Sequence, residues 1–147
     1  MQLIYAQSLD DLSSMDLYMM LKLRQDIFII EQDCIYNDLD NYDPLCEHLL
    51  LKDGTNVVAC ARIVPENTKF NQPSIGRVAV HKEYRRQGLG KEMMLKALEV
   101  LSKKNIDTVI IEAQSYLLAF YESLGFHKIS EAYTVDGISH HKMIYRY

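Results

Sequence analysis

Cysteine is scarce in this chain, and the few cysteines form no recognisable pattern. Three occur among the 147 residues, at Cys34, Cys46 and Cys60. Their number is odd and none belongs to a CxxC pair, so neither a disulfide framework nor a zinc site is indicated. We therefore expect reduced thiols, as in a cytoplasmic protein.

Long apolar runs and targeting segments are also missing. No stretch of about 18 consecutive apolar residues occurs, which predicts that the chain does not span a membrane. Residues 1–30 lack the basic start, apolar run and small-residue cleavage site of a secretory signal. Repeats, low-complexity tracts and Gly/Ser linkers are absent too, so we interpret residues 1–147 as a single domain.

The composition is ordinary, but the charge is uneven. With 48% hydrophobic and 24% charged residues, the chain has the make-up of a globular domain. Residues 1–64 hold 11 Asp/Glu against 4 Lys/Arg, whereas residues 65–147 hold 9 against 12. Chance and solvated surfaces explain such a difference; the alternative is one half that binds anions and one that attracts cations. The basic residues are dispersed except around Arg85 and Arg86, so no nucleic-acid-binding face is expected.

Hydrophobic periodicity predicts alternating strands and helices. The predicted elements are a strand over 3–6, an amphipathic helix over 15–30 behind Ser13 or Ser14, a long acidic loop over 31–46, a hairpin of 48–52 and 57–64, a strand over 74–80, a helix over 88–104, a strand over 108–113, a short helix over 116–124, and strands over 126–130 and 138–146. The unit 74–113 implies a parallel strand pair, and the hairpins imply antiparallel neighbours. We therefore predict an α/β fold, a mixed central sheet with helices on both faces. Gly76 inside its strand suggests a bulge or a close backbone approach.

The segment 78–91 carries the strongest chemical signal. Gly88 and Gly90 stand where a basic loop becomes a helix, so backbone N–H groups there can point outward at the positive end of the helix dipole. Arg85 and Arg86 add charge and bidentate donors for phosphate oxygens. This pattern favours an anion site over the alternative, a turn that holds glycine for steric reasons.

Two well-known phosphate loops are excluded by position. A Walker A loop would need a glycine at Arg85 and a Ser or Thr at Glu92. A dinucleotide fingerprint that begins at Gly88 would need a third glycine at Met93. The anion is therefore expected to be held in another kind of loop.

Arg85-x-x-Gly88-x-Gly90 after the strand over 75–80 resembles the acetyl-CoA signature of the GNAT superfamily of N-acetyltransferases. The order of predicted elements over 1–147 is similar to that fold. Within the superfamily the chain looks most like the ElaA-type proteins. The matching residues are Leu23-Arg24, Phe28, Glu31-Gln32, Cys34, Tyr36, Asp38-x-Asp40, His48-Leu49, Ala61-Arg62-Ile63, Ile75-Gly76-Arg77-Val78, Ala113-Gln114, Phe120-Tyr121, Gly125-Phe126 and Asp136-Gly137-Ile138.

The resemblance implies acetyl-CoA as co-substrate and no metal. In the family, the strands matching 75–80 and 108–113 splay apart and pantetheine enters the gap. The backbone groups expected to pair with pantetheine are those of Val78, Ala79 and Val80. The N–H groups expected to hold the pyrophosphate are those of Arg86, Gln87, Gly88, Leu89, Gly90 and Lys91. Many members place an Asn just beyond the central strand; this chain has Gln114 and Ser115, which we expect to line the cofactor site.

The resemblance also suggests catalytic and acceptor residues. Tyr121 matches the usual candidate acid for the CoA sulfur; the alternative is a core aromatic whose hydroxyl reaches the surface. Glu31 follows the first helix, where GNAT proteins commonly build the acceptor site, and is the candidate base. The polar residues expected to bind substrate are His48, Arg62, Glu112 and His140. For His48 and His140 the alternative is a hydrogen-bonded structural residue, which is the commoner role of a lone His in a strand. A pair of Arg62 with Glu31 or Glu112 is either a structural ion pair or a substrate clamp.

The acidic loop gives a further hypothesis. Asp33, Asp38, Asp40 and Asp43 lack the spacing of an EF-hand, so they do not indicate a metal site. Their negative field is instead expected to attract a cationic amine.

Together these features predict an acetyl-CoA-dependent N-acetyltransferase in which a primary amine attacks the thioester directly. Its acceptor is expected to be a small-molecule or peptide amine, with no nucleic acid or membrane as partner, and a homodimer is left open. The alternatives are a transferase of longer acyl groups and a non-catalytic CoA-binding regulatory module.

Overall fold

Eight strands and three α-helices make up the structure, a computed structural model that describes residues 1–147. The strands are β1 Gln2–Ala6, β2 Glu47–Asp53, β3 Asn56–Val64, β4 Ser74–Val80, β5 Thr108–Gln114, β6 His127–Lys128, β7 Tyr133–Val135 and β8 Ile138–Arg146. The helices are α1 Ser14–Arg24, α2 Leu89–Ser102 and α3 Leu118–Ser123. The strands form one sheet in the order β1-β2-β3-β4-β5-β8-β6, with β7 on β8.

The helix predicted over 15–30 changes its character half-way. Ser13 caps α1 by accepting a hydrogen bond from the Asp16 N–H at 3.0 Å, which explains where the helix begins. After Arg24 the chain continues as a wider π-helical segment, Gln25–Glu31, instead of a regular α-helix. The apolar residues of this segment fit either helix, so their periodicity alone does not reveal the change.

The sheet is mixed, and its parallel pair splays as predicted. β4 is antiparallel to β3 and parallel to β5, but the β4–β5 register holds only at Ser74 opposite Ile110. The Ile110 N–H also donates to the Pro73 carbonyl at 3.0 Å. Beyond this point the two strands diverge, so residues 76–80 of β4, called the cofactor edge below, have no partner on the β5 side.

A bulge lies beside the glycine predicted to mark it. The β3–β4 register shifts between Cys60 and Arg62, because two residues of β4 oppose one of β3. Arg77, with φ 49°, takes the left-handed backbone conformation there. The left-handed residue of the bulge is therefore Arg77, one residue after the predicted Gly76. A Cβ on Gly76 would meet nothing within 4 Å, so no close backbone approach requires a glycine there.

Helices cover both faces of the sheet, as predicted. Leu49 belongs to the core cluster that contains Met93 of α2, whereas its neighbour Leu50 belongs to the cluster that contains Met20 and Leu23 of α1. Successive strand residues thus feed opposite cores, as the period of a strand requires. No helix of the structure is both long and apolar enough to cross a bilayer.

Candidate active site

A cavity of about 740 Å³ opens where β4 and β5 separate. One wall is the cofactor edge, and the other includes Ile111, Glu112 and Gln114 of β5. A second cavity, of about 590 Å³, lies against α1 and the loop after it, away from the splayed strands. The first cavity contains most of the predicted site residues, so we describe it in detail.

The loop before α2 leaves a row of main-chain donors free. No backbone hydrogen bond uses the N–H groups of residues 86–91; the first N–H with a partner is that of Glu92, which donates to the Gly88 carbonyl at 3.0 Å. Arg86 (φ 64°) and Gly88 (φ 77°) both take left-handed conformations that shape this loop. α2 spans 14 residues, so its N-terminus places a positive dipole end beside the free donors. This arrangement fits a phosphate group.

Arg85 and Arg86, which the sequence treats alike, differ in the structure. The Arg85 guanidinium donates to the Val80 carbonyl at 3.1 Å and to Glu31 at 2.9 Å, so it ties the end of β4 to the end of the π-helical segment. Arg86 lines the cavity, is exposed and forms no ion pair. Arg86 is therefore the arginine that remains available to an anion.

The residues of this loop differ in whether they line the cavity. Gly90 lies on the cavity, with its position for a Cβ 3.8 Å from both Phe120 and Val80. The Gln87 and Lys91 side chains are exposed outside the cavity, and Leu89 is buried in the core. None of these three side chains lines the cavity.

Tyr121 of α3 lies on the cavity beside the cofactor edge. Its ring packs edge-on against Phe120 and Phe126, with centroids 5.1 and 6.0 Å apart. Burial, followed by the nearby Tyr116, raises the pKa of the Tyr121 hydroxyl to about 12. The hydroxyl is therefore protonated at neutral pH and able to donate a hydrogen bond into the cavity.

The two polar residues after β5 separate. Gln114 lines the cavity and its side-chain amide donates to the Gln32 side chain at 3.3 Å. Ser115 lies outside the cavity lining, where its hydroxyl bonds to Ser139 and His141, both at 2.8 Å. Of the pair predicted to line the cofactor site, only Gln114 reaches it.

Glu112 and His140 stand on neighbouring strands at the far end of the cavity. Lys69 contacts one Glu112 oxygen at 2.8 Å and the Tyr133 hydroxyl donates to the other at 2.8 Å. Burial opposes ionisation of Glu112, but Lys69 and Tyr133 hold the pKa of this carboxyl below its ordinary value. The His140 ring stacks on Tyr133 and its Nδ1–H donates to the Ile138 carbonyl at 2.8 Å. Glu112 is thus an ionised, fully engaged carboxylate.

Three arginines and three aspartates form a closed ring of alternating charges, which we call the Arg–Asp ring. In order around the ring its members are Arg24, Asp38, Arg77, Asp40, Arg62 and Asp43, with each neighbouring pair in contact at 2.7 to 3.2 Å. The formal charges cancel. Asp38, Asp40 and Asp43 therefore present no net negative charge to an amine, and their part in the predicted attraction is wrong. Asp33, the fourth residue of that prediction, is exposed and lies outside the ring.

The ring also corrects the predicted partners of Arg62. This side chain is 2% exposed and pairs with Asp40 and Asp43, not with Glu31 or Glu112. Burial by itself would raise the pKa of Asp40, but the hydrogen bond from Arg62 lowers this pKa to about 2. His48 is fully buried outside the cavity; its Nε2–H donates to the Asp43 carbonyl at 3.0 Å, and burial lowers its pKa. Neither residue is free to bind a substrate in this arrangement.

One cavity carboxylate has no cationic partner. Asp136 lies at the tip of the β7–β8 hairpin, where Asp136 and Gly137 (φ 50° and 78°) form the turn. Its carbonyl accepts a hydrogen bond from the Cys34 thiol at 3.3 Å, which joins the tip to the loop after the π-helical segment. The predicted elements do not include β7, and they do not indicate that Asp136 lines the cavity. The Asp136-Gly137 dipeptide is the sequence signal for this hairpin.

The family model of an acetyltransferase (GNAT) domain matches residues 25–147. The chain belongs to the GNAT acetyltransferase family. It is thus an acyltransferase, in agreement with the prediction. A GNAT fold accounts for both the splayed parallel pair and the loop of free N–H groups between β4 and α2.

Two relatives show how closely this GNAT chain resembles the ElaA-type proteins. It is 37% identical to ElaA of Escherichia coli over 133 residues, 88% of this chain and 87% of ElaA. The crystal structure of Escherichia coli ElaA superposes with a TM-score of 0.91 over 99% of both chains at 33% identity. An acyl-CoA N-acyltransferase from Pseudomonas aeruginosa gives a TM-score of 0.91 over 99% of both chains at 30% identity.

A more distant structure shares the fold alone. An N-acetyltransferase from Thermoplasma acidophilum, solved in complex with coenzyme A, superposes over the full length of both chains with a TM-score of 0.70 at 18% identity.

Proposed function

We propose that this protein is an acetyl-CoA-dependent N-acetyltransferase that acts on a primary amine. One observation carries the proposal: the edge of β4 without a strand partner and the row of free N–H groups lie at the same cavity. Pantetheine is peptide-like and the adjoining pyrophosphate is anionic, so one ligand satisfies both features.

The cofactor edge is oriented for such a ligand. The His81 N–H donates to Val58 of β3 at 2.8 Å, so the alternation of an antiparallel strand turns the Val80 N–H and carbonyl toward the cavity. Unpaired edge groups of a sheet are a ready template for an extended chain. By the same alternation the Ala79 N–H and carbonyl face Cys60 of β3, so of the three residues predicted to pair with pantetheine we retain Val78 and Val80. The Val80 carbonyl would be shared with the Arg85 guanidinium, which already donates to it. The N–H groups of residues 86–91 and the Arg86 side chain would hold the pyrophosphate.

The reaction joins the amine nitrogen to the acetyl carbon and breaks the carbon–sulfur bond. When bound, acetyl-CoA supplies the thioester. A backbone N–H near Val80 would stabilise the negative charge that develops on the acetyl oxygen, which is the role of an oxyanion hole. Tyr121, which its raised pKa keeps protonated, would donate its proton to the departing sulfur. The proton that the amine nitrogen loses on forming the amide would pass through solvent and restore the Tyr121 hydroxyl.

The acceptor would enter at the opposite end of the cavity. Glu31 is held by Arg85, but each carboxylate oxygen keeps further lone pairs and can accept a hydrogen bond from the amine. Asp136 supplies a carboxylate without a cationic partner, which favours an acceptor that arrives as a cation. Glu112 and His140 line the same region. Arg62 and His48 are left out of the proposed acceptor site because both are buried.

Thermal unfolding and turnover test the proposal together. Acetyl-CoA should raise the melting temperature, since a ligand that binds the folded state stabilises it, whereas adenosine, which lacks pantetheine and phosphates, should not. Free-CoA release should then be measured with monoamines, polyamines and peptides, using acetyl-CoA and longer acyl-CoAs as donors. Absence of a melting shift at millimolar acetyl-CoA would contradict the proposed cofactor. A faster reaction with a longer acyl-CoA would contradict the acetyl group.

A further inference from the structure

The Arg–Asp ring joins rigid elements to a loop. Arg24 ends α1, while Arg62 and Arg77 lie in β3 and β4. All three aspartates come from residues 32–46, which contain no regular structure except the short turn Asp43–Leu45. The loop is therefore held in place by the ring, and every arginine that holds it belongs to a different packed element.

Residues of this loop also line the cavity. Cys34, Tyr36, Asn37 and Asp40 lie on its lining, and we call these four residues the acceptor wall. The Tyr36 hydroxyl donates to Asp38 at 3.0 Å, so the wall and the ring are joined directly. A shift of the ring would thus move the surface that meets the acceptor.

Arg77 is the ring member that belongs to the strand with the cofactor edge. Its Nε lies 2.8 Å from an Asp38 carboxylate oxygen, and its Nη2 donates to the Asp38 carbonyl at 3.1 Å and to Asp40 at 3.2 Å. Its guanidinium carbon lies 5.4 Å from the centre of the Tyr36 ring. Its backbone is the left-handed bulge residue of β4, so one residue sets both the shape of the cofactor edge and the position of the acceptor wall.

We propose that Arg77 is a positioning residue that couples occupation of the cofactor edge to the order of the acceptor wall. The inference rests on the proposed function, in which a ligand pairs with β4. Such pairing restricts the backbone of β4 at the bulge, and the Arg77 side chain extends that restriction to Asp38, Asp40 and Tyr36. Arg24 and Arg62 hold the same loop from elements with which the ligand does not pair. Coupling between two sites means that binding at one changes the free energy of the other.

Hydrogen exchange with coenzyme A as the probe tests this coupling without turnover. Arg77→Asn removes the guanidinium but keeps a residue that tolerates the left-handed backbone. Asp33→Asn is the matched control, because Asp33 is an exposed loop residue with φ 48° outside the ring. In the wild type and in Asp33→Asn, coenzyme A should slow exchange of the amides in residues 34–42 by about fivefold or more. In Arg77→Asn the slowing should disappear while coenzyme A still binds.

Calorimetry on the same samples separates the two possible failures. A wild type that does not bind coenzyme A contradicts the proposed function, and with it this inference. If the wild type binds coenzyme A without slower amide exchange in residues 34–42, the coupling is overturned but the proposed function is not. The same holds if coenzyme A slows this exchange equally in Arg77→Asn and in the wild type. If Arg77→Asn does not fold, Arg77→Lys keeps the charge without the planar fork. A response of Arg77→Lys equal to that of the wild type would again overturn the coupling, and a lost response would support it.

Discussion

The two ends of the cavity are built in opposite ways. At the cofactor end, no strand pairs with β4 on its β5 side beyond Ser74, and the N–H groups of residues 86–91 have no backbone partner. At the acceptor end, the carboxylates of Glu31 and Glu112 and those of the Arg–Asp ring are all bound by cations of the same chain. The cofactor end offers N–H donors without partners, whereas most carboxylates of the acceptor end are already paired.

This difference concerns how each end achieves selectivity. Free main-chain groups recognise a ligand of fixed chemistry, and a local turn is enough to present them. The ion pairs at the acceptor end instead hold the acceptor wall in place. Because they use most of the charged groups there, few remain to bind the acceptor. Asp136 is the exception among the carboxylates that line the cavity. We therefore expect damage at the cofactor end to reduce binding, and damage at the acceptor end to reduce folding stability first.

Removal of a ring arginine should give the largest effect and sharpens this contrast. Arg62→Ala leaves the three aspartates of the ring with two arginines, Arg24 and Arg77, and so with one net negative charge that is largely buried. Breaking a buried ion pair on one side typically costs about 3–5 kcal/mol of unfolding free energy. Urea unfolding measures the loss. Arg86→Ala, at the cofactor end, should change stability by less than about 0.5 kcal/mol. Equal losses in the two variants would contradict the division between a connected end and an open end.

Tyr121→Phe should give the next largest effect, on turnover instead of stability. Loss of a general acid typically lowers the rate by about a hundredfold or more. Steady-state kinetics and acetyl-CoA titration measure kcat and cofactor affinity separately. Tyr116→Phe is the matched control, because Tyr116 also lines the cavity but its side chain is 72% exposed. Parallel losses of turnover and cofactor affinity in Tyr121→Phe would assign Tyr121 a structural role.

The two glycines of the loop should respond differently to alanine. Gly88 has φ 77°, so an alanine there is strained by about 1–2 kcal/mol and disturbs the row of N–H groups. Weaker acetyl-CoA binding and lower stability are expected for Gly88→Ala. At Gly90 a Cβ would make ordinary contacts at 3.8 Å, and alanine favours the helix. Gly90→Ala should therefore keep its stability, and a greater loss than that of Gly88→Ala would argue against this loop geometry.

The last prediction concerns turnover at alkaline pH, where we expect no decline due to Tyr121. Since the pKa of Tyr121 is raised to about 12, its donor form persists as the pH rises and is lost only near that value. Turnover should rise with pH as the acceptor amine loses its proton, and it should show no decline up to about pH 10, the ordinary pKa of a tyrosine. A decline below this pH that vanishes in Tyr121→Phe would show that the hydroxyl ionises too early for this account.

The sequence predicts the cofactor end better than the acceptor end for a physical reason. Gly88, Gly90 and the neighbouring arginines are close together along the chain, so their local pattern already indicates free N–H groups. The strand over 74–80 is likewise predicted with its observed bounds, because alternation and length are local properties. The resemblance to the GNAT superfamily supplies the splay of this strand, which local patterns do not contain.

The Arg–Asp ring could not be predicted in the same way. Arg77 and Asp38 lie 39 residues apart, and the choice of partner for each arginine depends on how three elements pack. The sequence therefore indicated an acidic loop without showing that its charges are neutralised. The end of α1 at Arg24 was missed for a related reason, since tertiary packing decides between an α-helix and a π-helical segment for the same apolar residues.

Amide chemical shifts during an acetyl-CoA titration test the central claim most directly. The account predicts that the largest changes occur at residues 78–80, on the side of β4 that has no strand partner, and at residues 86–91, whose N–H groups have no backbone partner. It also predicts little change at Tyr18 and Leu21, which line the separate cavity on α1. No change at millimolar acetyl-CoA, or changes centred on that second cavity, would contradict it.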